Sequence, residues 1–286
     1  MSRILVTGGT GQVGTELRRL GPDFGVEVVA PGRDTLDLST ASGLERIIGG
    51  GDWRAVINCA AYTAVDKAES EPDLADAVNG RAPGLIARAA AARGVRTLHV
   101  STDYVFDGTG PGFYDEDDPV APLGVYGASK EAGERGVRQG GGDHVILRTA
   151  WVVSPHGQNF VKTMLRLGAE RPVLRVVDDQ RGCPTSAADI AQALLTIATR
   201  GGPPGTYHFV NAGEASWCEL ARFVFARAGM DVAVEAISTD QYPTPARRPA
   251  NSRLSTAKIA RDYGIVPRPW QESVGEVVDA LVESRS

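Results

Sequence analysis

The chain has 286 residues, of which 42% are hydrophobic and 23% charged, a balance that is typical of folded globular proteins and excludes a disordered chain. Its net charge of −5, without a long basic run, argues against nucleic-acid binding. Apolar stretches such as residues 84–94 are interrupted by arginines and are too short to cross a bilayer, so no membrane partner is predicted.

The first residues and the cysteines indicate a cytoplasmic protein. A short apolar run at residues 4–6 is followed at once by Thr7 and glycines, which does not fit a secretory signal. Cys59, Cys183 and Cys218 are odd in number and far apart, so neither a disulfide framework nor a zinc site is expected.

Short Val/Ile/Leu-rich runs alternate with helical patterns through the first two-thirds of the chain, which predicts an α/β fold with a parallel sheet wrapped by helices. Strands are predicted at residues 3–7, 26–30, 55–59, 96–101, 144–149 and 173–177. Helices are predicted at residues 13–20, 41–48, 73–93, 127–139 and 160–168.

The pattern loosens after about residue 178. We expect a helix at 187–199, a strand at 206–210, a helix at 217–228 and a Pro-rich stretch at 242–249. The predicted organisation is a nucleotide-binding domain at 1–150, with further sheet elements from about 173–200, and a smaller, interleaved lobe formed mainly by 151–286.

The first predicted strand runs directly into GGTGQVG, which places Gly8, Gly11 and Gly14 at three-residue spacing before a helix. Such glycines permit a tight turn, close approach of backbone N–H groups to a pyrophosphate, and close packing of helix on strand. The helix start at Gln12 and Val13 offers unpaired amides to the phosphates. The arrangement predicts a dinucleotide site on a Rossmann-type, doubly wound sheet.

The segment after the second strand bears on which dinucleotide is bound. Arg33 can pair with a 2′-phosphate, which favours NADPH, while Asp34 beside it leaves NADH open. Asp37 is a candidate for the adenine amino group and Leu38 for the ring face, although a helix N-cap region is an alternative reading of the same residues.

Tyr126 and Lys130 lie four residues apart at the start of a helical pattern, so both side chains share one helix face. A lysine ammonium beside a phenol stabilises the phenolate, and it can also hold a nicotinamide ribose. Thr102 follows a predicted strand at the sheet edge where parallel sheets bind ligands. We therefore predict that Thr102 orients a ketone and Tyr126 delivers a proton while the cofactor delivers hydride.

Other chemistries have weaker support. The histidines His99, His144, His156 and His208 lack the spacing of metal ligands, and the acidic run at 115–118 resembles a solvated loop. No serine elbow, P-loop lysine or carboxylate pair for glycoside hydrolysis is evident.

The motifs TGGTGQVG and YGASK resemble those of extended short-chain dehydrogenases, and further segments resemble one branch, the dTDP-4-dehydrorhamnose reductase family. Those segments are NCAAYTAVDKAESEP, STDYVFDGTG, LRTAWVV, NFVKTMLRL, VVDDQRGCPTSAADIA and YPTPARRPANSRL. The resemblance extends over nearly the whole chain. It implies NADPH-dependent reduction of the 4-keto group of dTDP-4-dehydro-β-L-rhamnose.

The resemblance also implies roles for individual positions. Its cofactor contacts fall on Gly11, Gln12, Val13, Asp37, Leu38, Ala61, Tyr62 and Thr63. Its catalytic positions fall on Thr102, Tyr126 and Lys130, and its sugar-facing positions on Val65, Asp103 and Trp151.

Arg247, with Arg248 and Arg253 nearby, is a candidate to neutralise the substrate diphosphate, although surface solvation explains each arginine as well. Trp151 offers a flat apolar wall to a deoxysugar, with a core tryptophan as the alternative. Some family members join subunits through magnesium; one such acid matches Glu16, but another falls at Ala188, beside Asp189. We therefore predict no metal and leave monomer and homodimer open.

Other functions stay open beside the reductase. The nearest is a 4-ketoreductase or epimerase for another nucleotide deoxysugar. A non-catalytic relative, the regulatory subunit of methionine adenosyltransferase, needs no complete catalytic set, and the presence of Thr102, Tyr126 and Lys130 favours an enzyme.

Overall fold

The computed structural model describes residues 1–41 and 43–284, and it places most of the predicted strands in one sheet. The strands in chain order are β1 (Ser2–Thr7), β2 (Val26–Val29), β3 (Ala55–Asn58), β4 (Arg96–Thr102), β5 (His144–Thr149), β6 (Val152–Val153), β7 (Val173–Val177), β8 (Arg181–Gly182), β9 (Thr185–Ser186), β10 (Gly205–His208), β11 (Ala215–Ser216), β12 (Ala233–Ile237) and β13 (Asn251–Ser252).

The helices surround the strands. They are α1 (Gln12–Leu20), α2 (Leu44–Gly49), α3 (Val65–Ala68), α4 (Pro72–Ala75), α5 (Ala82–Ala91), α6 (Val125–Gly140), α7 (Phe160–Glu170), α8 (Ala187–Arg200), α9 (Trp217–Arg227), α10 (Ala257–Tyr263) and α11 (Trp270–Glu283). Short 3-10 turns lie at Gly21–Phe24, Asp103–Val105 and Thr239–Gln241.

The largest sheet has six parallel strands in the order β10-β5-β4-β3-β1-β2. Along β1, Ile4 faces a core shared with α1 and α8, while Leu5 faces the core beneath α2 and α5. Both faces of the sheet are therefore buried, which explains why its strands read as continuous apolar runs. The predicted fold class, a doubly wound parallel sheet, is confirmed.

The strand order reverses between β1 and β3, because the chain moves from β1 outward to β2 and then returns to the other side of β1. In open α/β sheets a ligand crevice forms at such a reversal, outside the carboxyl ends of the strands. The fold thus places the ends of β1 and β3, at Thr7 and Asn58, on either side of one crevice.

The remaining strands lie beside this sheet. β7 pairs with β12, β6 pairs with β9, and β8 lies between β11 and β13. Helices α7, α9 and α11 pack with β7 in a separate hydrophobic core. This small lobe lies at the same sheet edge as the crevice, because β6 follows directly from β5.

The expected further sheet elements at 173–200 require a correction. No strand of that range joins the six-stranded sheet; its sixth strand is β10, which lies later in the chain. The apolar pattern of β7 predicts a strand but not its partner, and β7 is bound by β12 instead. From the same range, α8 does return to the large sheet, packing against α1.

The single helix expected at 73–93 is also corrected, because a π-helical turn at Asp76–Arg81 separates α4 from α5. Pro83 has no backbone N–H and cannot bond the Asn79 carbonyl one turn earlier. That carbonyl is approached instead by α6, where a Cβ on Gly133 would lie 2.0 Å from it. The π turn therefore follows from one proline and one close helix contact.

Candidate active site

A cleft of about 770 Å³ follows the crevice from the glycine loop to the small lobe. Most of the sequence-predicted site residues line it: Gly8, Gly11, Gln12, Val13, Gly14, Arg33, Leu38, Ala61, Thr63, Val65, Thr102, Asp103, Tyr126, Lys130 and Trp151. Asp37, Tyr62 and Arg247 do not line it. The cleft therefore brings together residues that the sequence places on many separate segments.

The glycine loop has the geometry of a phosphate cradle. Gly8 has a φ of +76°, and the Gly11 N–H donates to its carbonyl at 3.0 Å. A Cβ on Gly14 would lie 2.2 Å from that same carbonyl oxygen, so only glycine fits. Gly11 caps α1 without a side-chain hydrogen bond, which leaves the first amides of the helix to a ligand. These residues fit the pyrophosphate of a dinucleotide.

The adenosine end is bounded by the segment after β2. Leu38 is buried and lines the cleft, as expected of a side chain against an adenine ring. The Asp37 carboxylate accepts the Ser39 hydroxyl and amide hydrogen bonds at 2.7 and 2.9 Å, which lowers its pKa. Asp37 thus acts locally as a turn residue in this structure. Arg33 is largely exposed at the cleft, 3.8 Å from Asp37.

The segment after β3 is fixed by a residue that the sequence analysis missed. Asn79 accepts a hydrogen bond from the Tyr62 N–H at 2.8 Å and donates to the Tyr62 carbonyl at 3.0 Å. It also donates to Ser129 on α6 at 3.1 Å. Asn79 therefore couples the wall of the cleft formed by Ala61 and Thr63 to the helix that carries the catalytic pair. In the sequence, only the nearby Pro83 indicates that the backbone at Asn79 departs from a regular helix.

The predicted catalytic trio converges in the cleft. Tyr126 and Lys130 occupy successive turns at the start of α6, and the Lys130 ammonium donates to the Val100 carbonyl at 2.7 Å. Thr102 ends β4, and its hydroxyl donates to Asp103 Oδ1 at 2.8 Å. The Tyr126 phenol lies beside this Thr102 hydroxyl and is in edge contact with Tyr104, with ring centroids 5.5 Å apart.

Burial controls the ionisation of this site. It raises the pKa of Tyr126 to about 12, with a further contribution from the Asp103 charge, and it lowers the pKa of Lys130 to about 8. Burial also raises the pKa of Asp103 to about 6. In the free protein the loss of hydration therefore dominates the pKa of Tyr126, and the role of Lys130 towards the phenolate stays a prediction. Tyr126 keeps its proton at neutral pH.

The small lobe supplies an aromatic wall. Trp151 has a φ of +48°, a left-handed conformation that costs a bulky residue about 1–3 kcal/mol. Its indole stacks on Trp217 with ring centroids 3.5 Å apart, and Phe160 packs on Trp217. All three line the cleft. Trp217 and Phe160 were not predicted, because no local pattern pairs residues so far apart in the chain.

The arginines that were candidates to bind the substrate diphosphate are either exposed outside the cleft or paired with carboxylates of the protein. Arg247 is exposed outside the cleft, whereas Arg248 makes a bidentate ion pair with Asp66 on α3 at 2.8 and 3.1 Å. Arg253 bonds Glu214 at 2.7 Å. The contact of Arg247 with substrate stays a prediction without geometric support in this structure.

The candidate metal position is also engaged by protein groups. Glu16 is buried and lies 2.7 Å from Arg19 and 3.4 Å from His156. Among the residues that the structure describes, no group of three or more His, Cys, Asp or Glu side chains is arranged to hold a metal.

In the same part of the chain, no helix is both long and apolar enough to span a membrane.

Comparison with known proteins identifies the family. Residues 1–283 match the RmlD substrate-binding domain. A dTDP-4-dehydrorhamnose reductase of Sinorhizobium fredii is 46% identical over 98% of both chains. The structure of a dTDP-4-dehydrorhamnose reductase from Clostridium acetobutylicum superposes with a TM-score of 0.93 at 38% identity, over 98% of this chain and 99% of that one. The structure of a Bacillus anthracis dTDP-4-dehydrorhamnose reductase in complex with NADP superposes with a TM-score of 0.92 at 36% identity, over 98% of this chain and 99% of that one. The resemblance to these reductases is thus confirmed, and the chain belongs to the RmlD substrate-binding domain family.

Proposed function

We propose that this protein reduces the 4-keto group of dTDP-4-dehydro-β-L-rhamnose with NADPH to give dTDP-β-L-rhamnose. The observation that carries the proposal is the convergence of Thr102, Tyr126 and Lys130 in a cleft that begins at the glycine cradle. The reductase names of relatives such as the Sinorhizobium fredii protein support the substrate, and the Bacillus anthracis complex supports the cofactor.

The protein groups divide the reaction between them. NADPH, when bound, supplies the hydride. The Tyr126 phenol retains its proton because its pKa is about 12, so it is a donor for the oxygen of the reacting ketone. Thr102, at the end of β4, becomes a second donor to that oxygen when its hydroxyl turns away from Asp103 Oδ1. After the proton has left, the Lys130 ammonium on the next turn of α6 stabilises the phenolate.

Asp103 is suited to orient the sugar. Its Oδ2 atom is buried and has no partner within 3.5 Å among the residues that the structure describes, while the Ser252 side chain is near enough to the carboxyl to lower its pKa against the larger effect of burial. A buried carboxylate oxygen whose hydrogen bonds are incomplete is costly, so a sugar hydroxyl placed there would satisfy it. We assign Val65 and Trp151 to the apolar side of the sugar, where the substrate has lost a hydroxyl and carries a methyl group.

Cofactor choice depends on the adenosine end. Arg33 at the edge of the cleft favours the 2′-phosphate of NADPH, and Asp34 leaves NADH as a slower alternative. We further infer a cytoplasmic enzyme, monomeric or homodimeric, whose three free cysteines fit a reducing compartment.

The test is to incubate the protein with dTDP-4-dehydrorhamnose and each reduced nicotinamide, follow cofactor oxidation, and identify the product. We expect stoichiometric oxidation of NADPH and formation of dTDP-rhamnose. An epimerase would show no net oxidation, and a regulatory subunit would show neither oxidation nor product. Tyr126→Phe should lower kcat at least about 100-fold while the Kd for NADPH changes little, because only the donated proton is lost.

A further inference from the structure

The indoles of Trp151 and Trp217 form one stacked unit at the substrate end of the cleft. Their planes are parallel within 6° and their centroids are 3.5 Å apart. Both residues line the cleft, but they come from different parts of the small lobe: Trp151 follows β5, and Trp217 begins α9. The orientation of one indole therefore depends on the other.

Trp217 is itself firmly placed. Its indole N–H donates to the Gln180 side-chain oxygen at 3.1 Å, and Phe160 packs on it with centroids 4.7 Å apart. The preceding Ser216 caps α9 through a reciprocal pair of hydrogen bonds with Glu219. A capped helix start, a hydrogen bond and a ring contact together make Trp217 a rigid platform.

Trp151, by contrast, is held in a position that its own backbone disfavours. Its φ of +48° lies in the left-handed region, which bulky residues adopt only when the surroundings enforce it. Gly182 leaves just enough room, since a Cβ there would lie 2.3 Å from the indole Cε2. The Trp151 carbonyl accepts the Thr185 N–H at 3.1 Å. This hydrogen bond holds the backbone, and the side chain is kept in the cleft by the close contact with Gly182 and the stack on Trp217.

We propose that Trp217 is a positioning residue for the substrate: by stacking on Trp151 it fixes the apolar wall that presents the deoxysugar to Tyr126. The inference rests on the proposed function, because it assigns the sugar to Trp151. Trp217 acts through its neighbour, so its removal should weaken substrate binding and leave the cofactor end of the cleft unchanged.

The first test compares Trp217→Leu with Trp217→Phe. Loss of one aromatic pair corresponds to about a three- to tenfold effect, so Trp217→Leu should raise the KM for the keto sugar by about that factor. The Kd for NADPH should stay within about twofold of the wild type, because the platform does not reach the glycine loop. Trp217→Phe keeps a flat ring and should recover most of the loss. Trp53→Phe, outside the cleft, is the matched control and should change neither constant.

The second test is a double-mutant cycle with Trp151→Leu, in which the KM for the keto sugar is the readout. If Trp217 works through Trp151, the double variant should have a KM no higher than that of Trp151→Leu alone. Losses that add, in a wild-type chain that turns over normally, would overturn the proposal. A wild-type chain that oxidises no NADPH would instead refute the proposed function.

Discussion

A buried ion pair behind the catalytic helix offers a quantitative test of how α6 is held. Glu134 of α6 accepts two hydrogen bonds of 2.8 Å from Arg148 of β5, with side-chain exposures of 0% and 2%. Glu134 has a second partner, since Arg138 donates to its Oε2 at 2.7 Å from a position that is 39% exposed. Because α6 carries Tyr126 and Lys130, this pair ties the catalytic residues to the sheet.

The two single substitutions should differ in cost. Breaking a buried pair typically costs about 3–5 kcal/mol because one charge is left without its partner. Arg148→Met leaves Glu134 with Arg138 as its partner, so we expect the free energy of unfolding to fall by about 3 kcal/mol, the lower end of that range. Glu134→Leu leaves Arg148 with two uncharged acceptors, the Glu116 carbonyl at 3.3 Å and His208 Nε2 at 3.4 Å, so we expect the free energy of unfolding to fall by about 5 kcal/mol. The double variant should lose less than Glu134→Leu alone, because no buried charge then remains.

Urea unfolding at neutral pH measures these differences, and Arg138→Met is the control, with an expected loss below about 1 kcal/mol for a partly exposed pair. Burial alone would raise the pKa of Glu134, but the hydrogen bonds from Arg148 outweigh it and the pKa is lowered. The stabilisation is therefore present above the unfolded-state value of 4.5 and is lost as the pH falls through the lower folded-state value. Single losses below about 1 kcal/mol, or a double loss equal to their sum, would refute this reasoning.

Three further predictions concern the cleft itself. Burial raises the pKa of Asp103 from 3.8 to about 6, so ionisation of Asp103 lowers the free energy of unfolding as the pH rises through that interval. Asp103→Asn should therefore raise the free energy of unfolding by up to about 3 kcal/mol above about pH 7 and leave it unchanged below about pH 4. Urea unfolding at both pH values measures this difference. Arg33→Ser should raise the KM for NADPH about tenfold without affecting NADH, and equal losses for the two cofactors would show that Arg33 does not bind the 2′-phosphate. The kcat/KM for the keto sugar should fall as the pH rises through about 8, where Lys130 loses its charge, and a profile that stays flat beyond about pH 9 would contradict that role.

The glycine loop and the catalytic residues could be predicted because their signals are local. Gly8 and Gly14 occupy positions where a Cβ would strike backbone atoms, so the motif itself records the geometry. Tyr126 and Lys130 share a helix face by spacing alone. Thr102 lies at a strand end, and the carboxyl ends of parallel strands meet at one edge. Each of these predictions depends only on recognising a single strand, helix or turn in the sequence.

Contacts between residues that are far apart in the sequence cannot be predicted from local patterns. Asn79 joins Tyr62 to Ser129 from inside a π turn, where the apolar pattern predicts an ordinary helix. Trp217 meets Trp151 only after the small lobe has folded. The direction of the Tyr126 pKa shift also depends on burial, which the Tyr and Lys spacing does not report.

Two contacts between the small lobe and the nucleotide-binding part of the chain show why the reaction class is easier to infer than the sugar. Asn159 at the start of α7 donates a hydrogen bond to the Gln12 side chain of the glycine loop at 2.9 Å. Arg248 of the Pro-rich stretch forms an ion pair with Asp66, the residue after Val65. One link lies at the cofactor end and the other at the sugar end, so the small lobe is held against the nucleotide-binding sheet at both. Proton and hydride transfer require only groups on that sheet and on α6, whereas the walls that select the sugar exist only where the two parts meet. Sugar selectivity is therefore a property of these long-range contacts, and changes in the small lobe should alter it while the reaction class is retained.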